Sequence, residues 1–127
     1  MYSGNILYGG VARNGLAASD LTAKIKTFVK RVANDERDTA GAGEAAIGVL
    51  WNAPLAGHEA WVIGGGSPDV YVGTGGVTIG DEIASDADGK AVTAASTDVV
   101  VGIAKATAAA GALVQIDFLG EAQYTKA

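Results

Sequence analysis

The stretch that decides the fold is IGVLWNAPLAGHEAWVI at residues 47–63, because VGIAKATAAAGALVQID at 101–117 follows the same outline. Aligning Gly48 with Gly102 also places the Ala-Gly at 56–57 on the Ala-Gly at 110–111. We call this alignment the repeat register and interpret it as an internal repeat, about 23–65 and 77–120, in which each copy is a strand, a tight connection and a second strand. Two copies are expected to pair into one closed sheet with few unpaired edge strands. The repeat register aligns three further pairs: Ile25 with Ile79, Val29 with Ile83, and Glu44 with Asp98.

Short runs of β-branched and aromatic residues predict an all-β domain. The run at 113–118 alternates apolar and polar residues at Val114, Ile116 and Phe118, which is the period of a half-buried strand. Glycine and Asp-Gly clusters separate the runs and predict turns. This spacing predicts a small β-barrel or sandwich built from two similar hairpin units. The other runs lie at 60–63, 70–72 and 99–101.

Residues 19–33 fit two structures. Leu21, Ile25 and Phe28 follow a helical stripe, with Ser19 or Asp20 as the N-cap. The repeat instead makes 25–30 a strand, and several β-branched residues in this stretch weaken the helix. We predict the strand and leave one short helix open.

The chain divides into an extended N-terminal arm at 1–18 and a single β-rich domain at 19–127, since 127 residues are too few for two cores. Large apolar side chains at Tyr2, Ile6, Leu7 and Tyr8 stand among glycines in the arm. Such a segment can fold back on its own domain or pair with the sheet edge of another chain.

Composition limits both stability and function. Hydrophobic residues make up 49% of the chain, but many are alanine, and there are 19 glycines. Alanine buries little apolar area, so we expect the monomer to be only modestly stable. Self-association would bury additional apolar area and raise the stability.

The net charge is −5, with +2 over residues 1–38 and −7 over 39–127, which argues against a dedicated nucleic-acid binder. Neither a targeting signal nor a membrane-spanning run is expected.

The sequence predicts no catalytic residue, metal site or cofactor. There is no cysteine, and His58, the one histidine, follows a Gly in a predicted surface loop. No Gly-x-Ser-x-Gly elbow and no phosphate-binding Gly-Lys-Ser/Thr motif occurs. Asp86 and Asp88 resemble a fragment of a calcium loop, but the remaining ligand positions are missing, so we interpret them as a hairpin turn.

Two groups of residues are candidates for contacts with other proteins. The basic cluster Lys24, Lys26, Lys30 and Arg31 is either a solvated face or a docking surface for an acidic partner. Trp51 and Trp61 are the largest side chains of the chain. They are either core residues or part of an oligomer interface, where tryptophan is enriched.

Part of the sequence resembles the small capsid decoration (cement) proteins of tailed bacteriophages. Four stretches carry the resemblance: GGVTIGDEI at 75–83, DGKAV at 88–92, DVVVGIA at 98–104 and AAAGALVQI at 108–116. The similarity covers roughly 75–120, is weaker over 40–65, and does not extend to the segment 1–38.

The resemblance implies a β-barrel-like structural protein that binds the outer face of an icosahedral capsid as a homotrimer. It would be made in the host cytoplasm and would clamp neighbouring major capsid subunits, without nucleic acid or membrane as partners. Residues Tyr2, Ile6, Leu7, Tyr8, Lys24 and Lys26 would then contact the capsid or a neighbouring protomer. Trp51 and Trp61 would form the trimer interface.

Two alternatives remain open. A hairpin bearing Lys90 after Gly89 resembles lipoyl or biotinyl carrier domains, in which a turn lysine is acylated, although those carriers have Asp or Met before the lysine. A covalent adduct on Lys90 would favour the carrier. The other alternative is a small glycan-binding trimer, for which the sequence offers few aromatic residues.

Overall fold

A computed structural model describes residues 12–127, and this part of the chain is built almost entirely of β-strands. The predicted all-β class is confirmed. In 19–33 the structure contains a strand at Phe28–Val32 and no α-helix, so the short helix left open is not found there. No helix in the described part is long and apolar enough to cross a membrane.

The strands of the first half are β1 (Gly15–Leu16), β2 (Phe28–Val32), β3 (Glu36–Thr39), β4 (Gly48–Leu50), β5 (Glu59–Ala60) and β6 (Val62–Ile63). Those of the second half are β7 (Asp69–Tyr71), β8 (Glu82–Ser85), β9 (Ala91–Thr93), β10 (Val99–Val100), β11 (Gly102–Ala104), β12 (Leu113–Phe118) and β13 (Tyr124–Thr125). Short 3-10 turns lie at Ala33–Asp35 and Gly120–Ala122.

The two halves repeat one strand order. The first sheet runs β3-β2-β4-β6, and β5 pairs with β1; the second runs β9-β8-β11-β12-β7. Val29 pairs with Gly48 in the first sheet, and Ile83 pairs with Gly102 in the second. The repeat register seen in the sequence therefore relates these strand pairings, except that β1–β5 is shifted by one residue relative to β7–β12. We call residues 12–64 unit 1 and residues 65–118 unit 2.

The two copies do not pair into one closed sheet, which corrects that expectation. Unit 1 has a four-stranded antiparallel sheet and the separate pair β1–β5, and unit 2 has a five-stranded antiparallel sheet. In each unit a single parallel bridge joins the first strand region to the edge strand of the sheet. The bridge joins Ala17 to Arg37 in unit 1 and Val72 to Ala91 in unit 2. Of the two architectures predicted, the described strands form a sandwich of packed sheets rather than a barrel closed by a continuous ladder.

The largest buried cluster joins the interior of unit 2 to the outer face of unit 1. Successive residues of a strand point to opposite faces, so Val29 and Leu50 fill the inner face of unit 1 while Phe28 and Val49 point outward. Phe28 is fully buried and its ring stacks on Phe118, with centroids 6.4 Å apart. Unit 2 thus covers the outer face of unit 1 around Phe28 and Val49.

Main-chain hydrogen bonds join the units alongside this core. Phe28 N–H donates to the Gly89 carbonyl at 2.7 Å, and Tyr71 N–H donates to the Lys26 carbonyl at 2.9 Å. Gly43 is inserted between two strands of unit 2. Its N–H donates to the Ser85 carbonyl at 2.9 Å, and its carbonyl accepts from Val99 N–H at 3.0 Å.

Steric contacts explain why glycine occupies both positions 48 and 102. A Cβ on Gly48 would lie 2.5 Å from the Ile63 carbonyl oxygen, and one on Gly102 would lie 2.9 Å from that of Asp117. Contacts this short do not occur, so each sheet accepts only glycine where its third and fourth strands come closest.

Replacing Phe28 with alanine should destabilise the domain by about 3–5 kcal/mol, because a fully buried aromatic ring between the units is lost. Ile79→Ala is the control, since Ile79 is 63% exposed and should change the free energy of unfolding by less than about 0.5 kcal/mol. Urea denaturation of both variants measures the difference. Equal effects would contradict the central role of this core.

Candidate interaction surfaces

The candidate sites among the described residues are surfaces for contact. Within residues 12–127, no group of three or more His, Asp or Glu side chains is placed to hold a metal ion. His58 is exposed in the loop before β5, where its own N–H donates to the Leu55 carbonyl as part of a turn.

The hairpin that carries Lys90 is packed against unit 1. The Asp86 carboxylate accepts hydrogen bonds from Asp88 N–H and Lys90 N–H at 2.8 and 2.9 Å, which fixes a tight turn. Gly89 is buried, and a Cβ there would lie 2.8 Å from the Phe28 carbonyl oxygen. A carrier lysine must swing from an exposed tip, so this geometry does not support the carrier alternative.

Unit 1 has an exposed apolar patch, which we call the tryptophan patch: Leu16, Trp51 and Trp61. Trp61 is 44% exposed and Leu16 50%, while Trp51 is half-buried. Leu16 pairs with Glu59, so its side chain is on the same sheet face as Trp61. Trp51 N–H donates to the Trp61 carbonyl at 2.7 Å, which holds the two tryptophans on adjacent strands.

The tryptophan patch belongs to unit 1 alone. The repeat register places Trp51 on Lys105 and Trp61 on Gln115, both exposed polar residues. Lys105 and Gln115 bond to Ser67 instead of presenting apolar surface. Two sheets with one strand order therefore carry different outer surfaces, and the apolar one is the better candidate for contact with another protein.

The predicted basic cluster is paired within the chain. Lys24 lies 3.8 Å from Asp88 of unit 2, and the Lys26 ammonium lies 5.1 Å from the centre of the Trp51 ring. The other two members form ion pairs, Lys30 with Glu44 and Arg31 with Asp35. The hydrogen bond from Lys30 lowers the pKa of Glu44. Of the four, Lys26 adjoins the tryptophan patch.

Arg37 is a buried residue that sequence reasoning counted only as one of the charges of residues 1–38. Its Nε donates to the Arg13 carbonyl at 2.7 Å and its Nη2 to the Asn14 carbonyl at 3.1 Å. Its Nη1 donates to the Asp35 carbonyl and carboxylate, and this hydrogen bond lowers the pKa of Asp35. The guanidinium thereby ties the entry to β1 to the β2–β3 turn. The repeat contained a signal, since Arg37 aligns with Ala91, a small apolar residue of the second copy.

The C-terminal residues cover part of the outer face of unit 2. Glu82, which the repeat aligns with Phe28, accepts hydrogen bonds from the Lys126 ammonium and the Tyr124 hydroxyl. The bond from Lys126, followed by that from Tyr124, lowers the pKa of Glu82. The predicted contact residues Tyr2, Ile6, Leu7 and Tyr8 lie outside the described residues.

Arg37→Met should destabilise the domain by about 1–3 kcal/mol, because the Arg13 and Asn14 carbonyls lose their donor in a buried place. Arg31→Met is the matched control, since the Arg31 side chain is 60% exposed and its ion pair is solvated. Denaturant midpoints of the two variants give the comparison. A control that loses as much stability as Arg37→Met would refute the anchoring role.

The hydrogen bonds of Glu82 with Lys126 and Tyr124 should make the free energy of unfolding depend on pH. Because the pKa of Glu82 is lower in the folded chain, its contribution is complete above the ordinary glutamate pKa of about 4.3 and is lost as pH falls through the folded value. Thermal unfolding of the wild type and Glu82→Gln, followed from about pH 6 down through the ordinary glutamate pKa of about 4.3, should show a smaller loss in the variant. Identical pH profiles would exclude this contribution.

Comparison with protein families and with curated protein sequences found no match. Among solved structures, the fold is similar to the N base of the head fiber gp8.5 of bacteriophage phi29. The TM-score is 0.72 at 20% sequence identity, and the alignment covers 85% of this chain and 92% of that one. At this identity the likeness establishes a shared fold over most of both chains.

Proposed function

We propose that the protein is a structural component of a tailed-phage virion that binds the outside of the capsid as a homotrimer and stabilises the shell. The observation that carries the proposal is the shared fold with the head fiber base of phi29. The sequence resemblance over 75–120 points independently to phage decoration proteins. The function is one of binding, in which the protein transforms no substrate.

The tryptophan patch is the proposed trimer interface. Trp61 is large and 44% exposed, and Leu16 on the same sheet face is 50% exposed. Aromatic side chains of this kind contribute strongly to interfaces when a partner removes them from water. The small core of an alanine- and glycine-rich chain supports the same conclusion, because an oligomer interface adds apolar burial.

The proposed mechanism of stabilisation is thermodynamic. A protein that binds the assembled shell and not its dissociated subunits shifts the equilibrium toward assembly by mass action. Three copies of the N-terminal arm, with Tyr2, Ile6, Leu7 and Tyr8, would each engage a capsid subunit or a neighbouring protomer. Several weak contacts made together give a larger total affinity than any single one. Lys24 and Lys26 would contribute only if they leave Asp88 and Trp51.

Light scattering of the purified protein should give a mass three times that of a single chain. Trp61→Ser should shift this mass toward the monomer, because it removes an exposed apolar anchor from the proposed interface. Ile79→Ser is the control on unit 2, where an exposed apolar residue lies away from the patch. A wild-type chain that is monomeric both in solution and on the shell would exclude the trimer.

Deletion of residues 2–10 should lower the occupancy of the protein on purified capsids, since the large apolar side chains of the arm are lost. Co-sedimentation of capsids with wild-type and shortened chains measures the occupancy. Unchanged occupancy would exclude the arm as a capsid contact, while failure of the full-length chain to bind capsids at all would exclude the proposed function itself.

A further inference from the structure

We infer that Lys26 of one copy forms an ion pair with Glu59 of the next copy, across the edge of the tryptophan patch. The inference rests on the trimer of the proposed function. It goes further by naming the charged contact that sets how the three copies are arranged in solution.

Lys26 occupies a backbone position that favours glycine. Its φ is 61°, in the left-handed region that side chains with a Cβ rarely adopt. The repeat register aligns it with Gly80, whose φ is 86°. Lys26 N–H donates to the Leu50 carbonyl, and Gly80 N–H donates to the carbonyl of Ala104, which aligns with Leu50. Both units therefore use this conformation, and unit 1 places a lysine in it.

A non-glycine residue in a left-handed conformation points to a role for its side chain. The Lys26 ammonium lies 5.1 Å from the centre of the Trp51 ring, at the edge of the tryptophan patch. Among residues 12–127, no carboxylate forms an ion pair with Lys26. The residues aligned with Lys26 and Trp51 are Gly80 and Lys105, so this arrangement belongs to unit 1 alone.

Glu59 lies on the opposite side of the two tryptophans. The stretch containing Lys26 bonds to β4 on one side, and β6 pairs with β4 on the other. Trp51 therefore lies between Lys26 and Trp61 in the order of the strands. Glu59 precedes Trp61 by two residues, which places it on the same sheet face, and it pairs with Leu16 farther out.

The Glu59 carboxylate is held at the surface. Glu59 is exposed, and within the described part of the chain it forms no ion pair. The Asn14 side-chain amide donates to the carboxylate at 3.2 Å, while its oxygen accepts from Val62 N–H at 2.8 Å. The residue aligned with Glu59 is Leu113, so the acid is also specific to unit 1.

A patch with a cation at one edge and a carboxylate at the other fits a second copy of itself. When three copies turn this patch toward a threefold axis, one edge of each patch meets the opposite edge of the next. Lys26 and Glu59 then form three identical ion pairs around the exposed Trp61 side chains. A purely acidic partner would instead be attracted by Lys26 and repelled by Glu59.

Charge exchange tests the inference by sedimentation equilibrium. Lys26→Glu and Glu59→Lys should each weaken trimer formation about ten-fold or more, because like charges then meet at every contact. The double variant should return to within about three-fold of the wild type, since the two changes are coupled. Lys105→Glu, at an exposed residue of unit 2, makes the same change in net charge and should have no effect. A double variant as weak as the single variants would overturn the inference.

Two uncharged substitutions separate the side chain of Lys26 from its backbone. Lys26→Gly should unfold at a higher temperature than Lys26→Ala, since both lose the ammonium and only glycine suits the left-handed conformation. Both should weaken trimer formation to a similar extent. If Lys26 acted only within its own chain, both variants would associate as the wild type does, and the inference would be overturned.

Failure of this inference is distinguishable from failure of the proposed function. A wild-type trimer that charge exchange does not restore would retain the trimer and remove only this contact. A wild-type chain that stays monomeric in solution would overturn the inference, while co-sedimentation with capsids would still decide whether the protein binds the shell.

Discussion

The structure depends on the contact between the outer face of unit 1 and unit 2. The inner cluster of unit 1 is small: beside alanines it contains Leu21, Val29, Leu50 and Val62. Phe28 is the aromatic residue that unit 1 contributes to the shared core, and main-chain hydrogen bonds from Phe28 to Gly89 and from Gly43 to Ser85 join the two units there. The two sheets therefore stabilise each other, because unit 2 covers the apolar outer face that unit 1 would otherwise expose to water.

Identical strand order did not lead to identical surfaces, and the differences assign distinct roles to the two units. Arg37 anchors the entry to unit 1 where the buried Ala91 occupies unit 2. Glu82 stands at the position that Phe28 has in unit 1, and it bonds to Lys126 and Tyr124 among the C-terminal residues. On the same face of β8, Ala84 belongs to a buried apolar cluster with Ala94 and Val100, against which Leu119 packs. The exposed tryptophans remain on unit 1, which makes that unit the candidate for contact with other proteins.

A binding function fits this distribution of side chains. The carboxylates whose pKa is shifted, Glu82 and Glu44 among them, are lowered by partners that hold structural contacts. Catalytic acids and bases usually lie in clefts with their pKa moved toward neutrality. The lowered carboxylates Asp35, Glu44 and Glu82 instead hold turns and the C-terminal residues in place, and the tryptophan patch is the surface that the proposed function assigns to a partner.

The amino-acid sequence alone determined the β class, the turns and the internal repeat, because alternation and glycine spacing report local geometry directly. Gly48 and Gly102 were visible in the sequence as a repeated pair, and their reason is a close approach of strands within each sheet. Tertiary structure decided that the copies form two packed sheets, that Arg37 is buried and that Trp61 is exposed. An apolar pattern records that a face is covered, but the element that covers it lies far away in the chain and leaves no local signal.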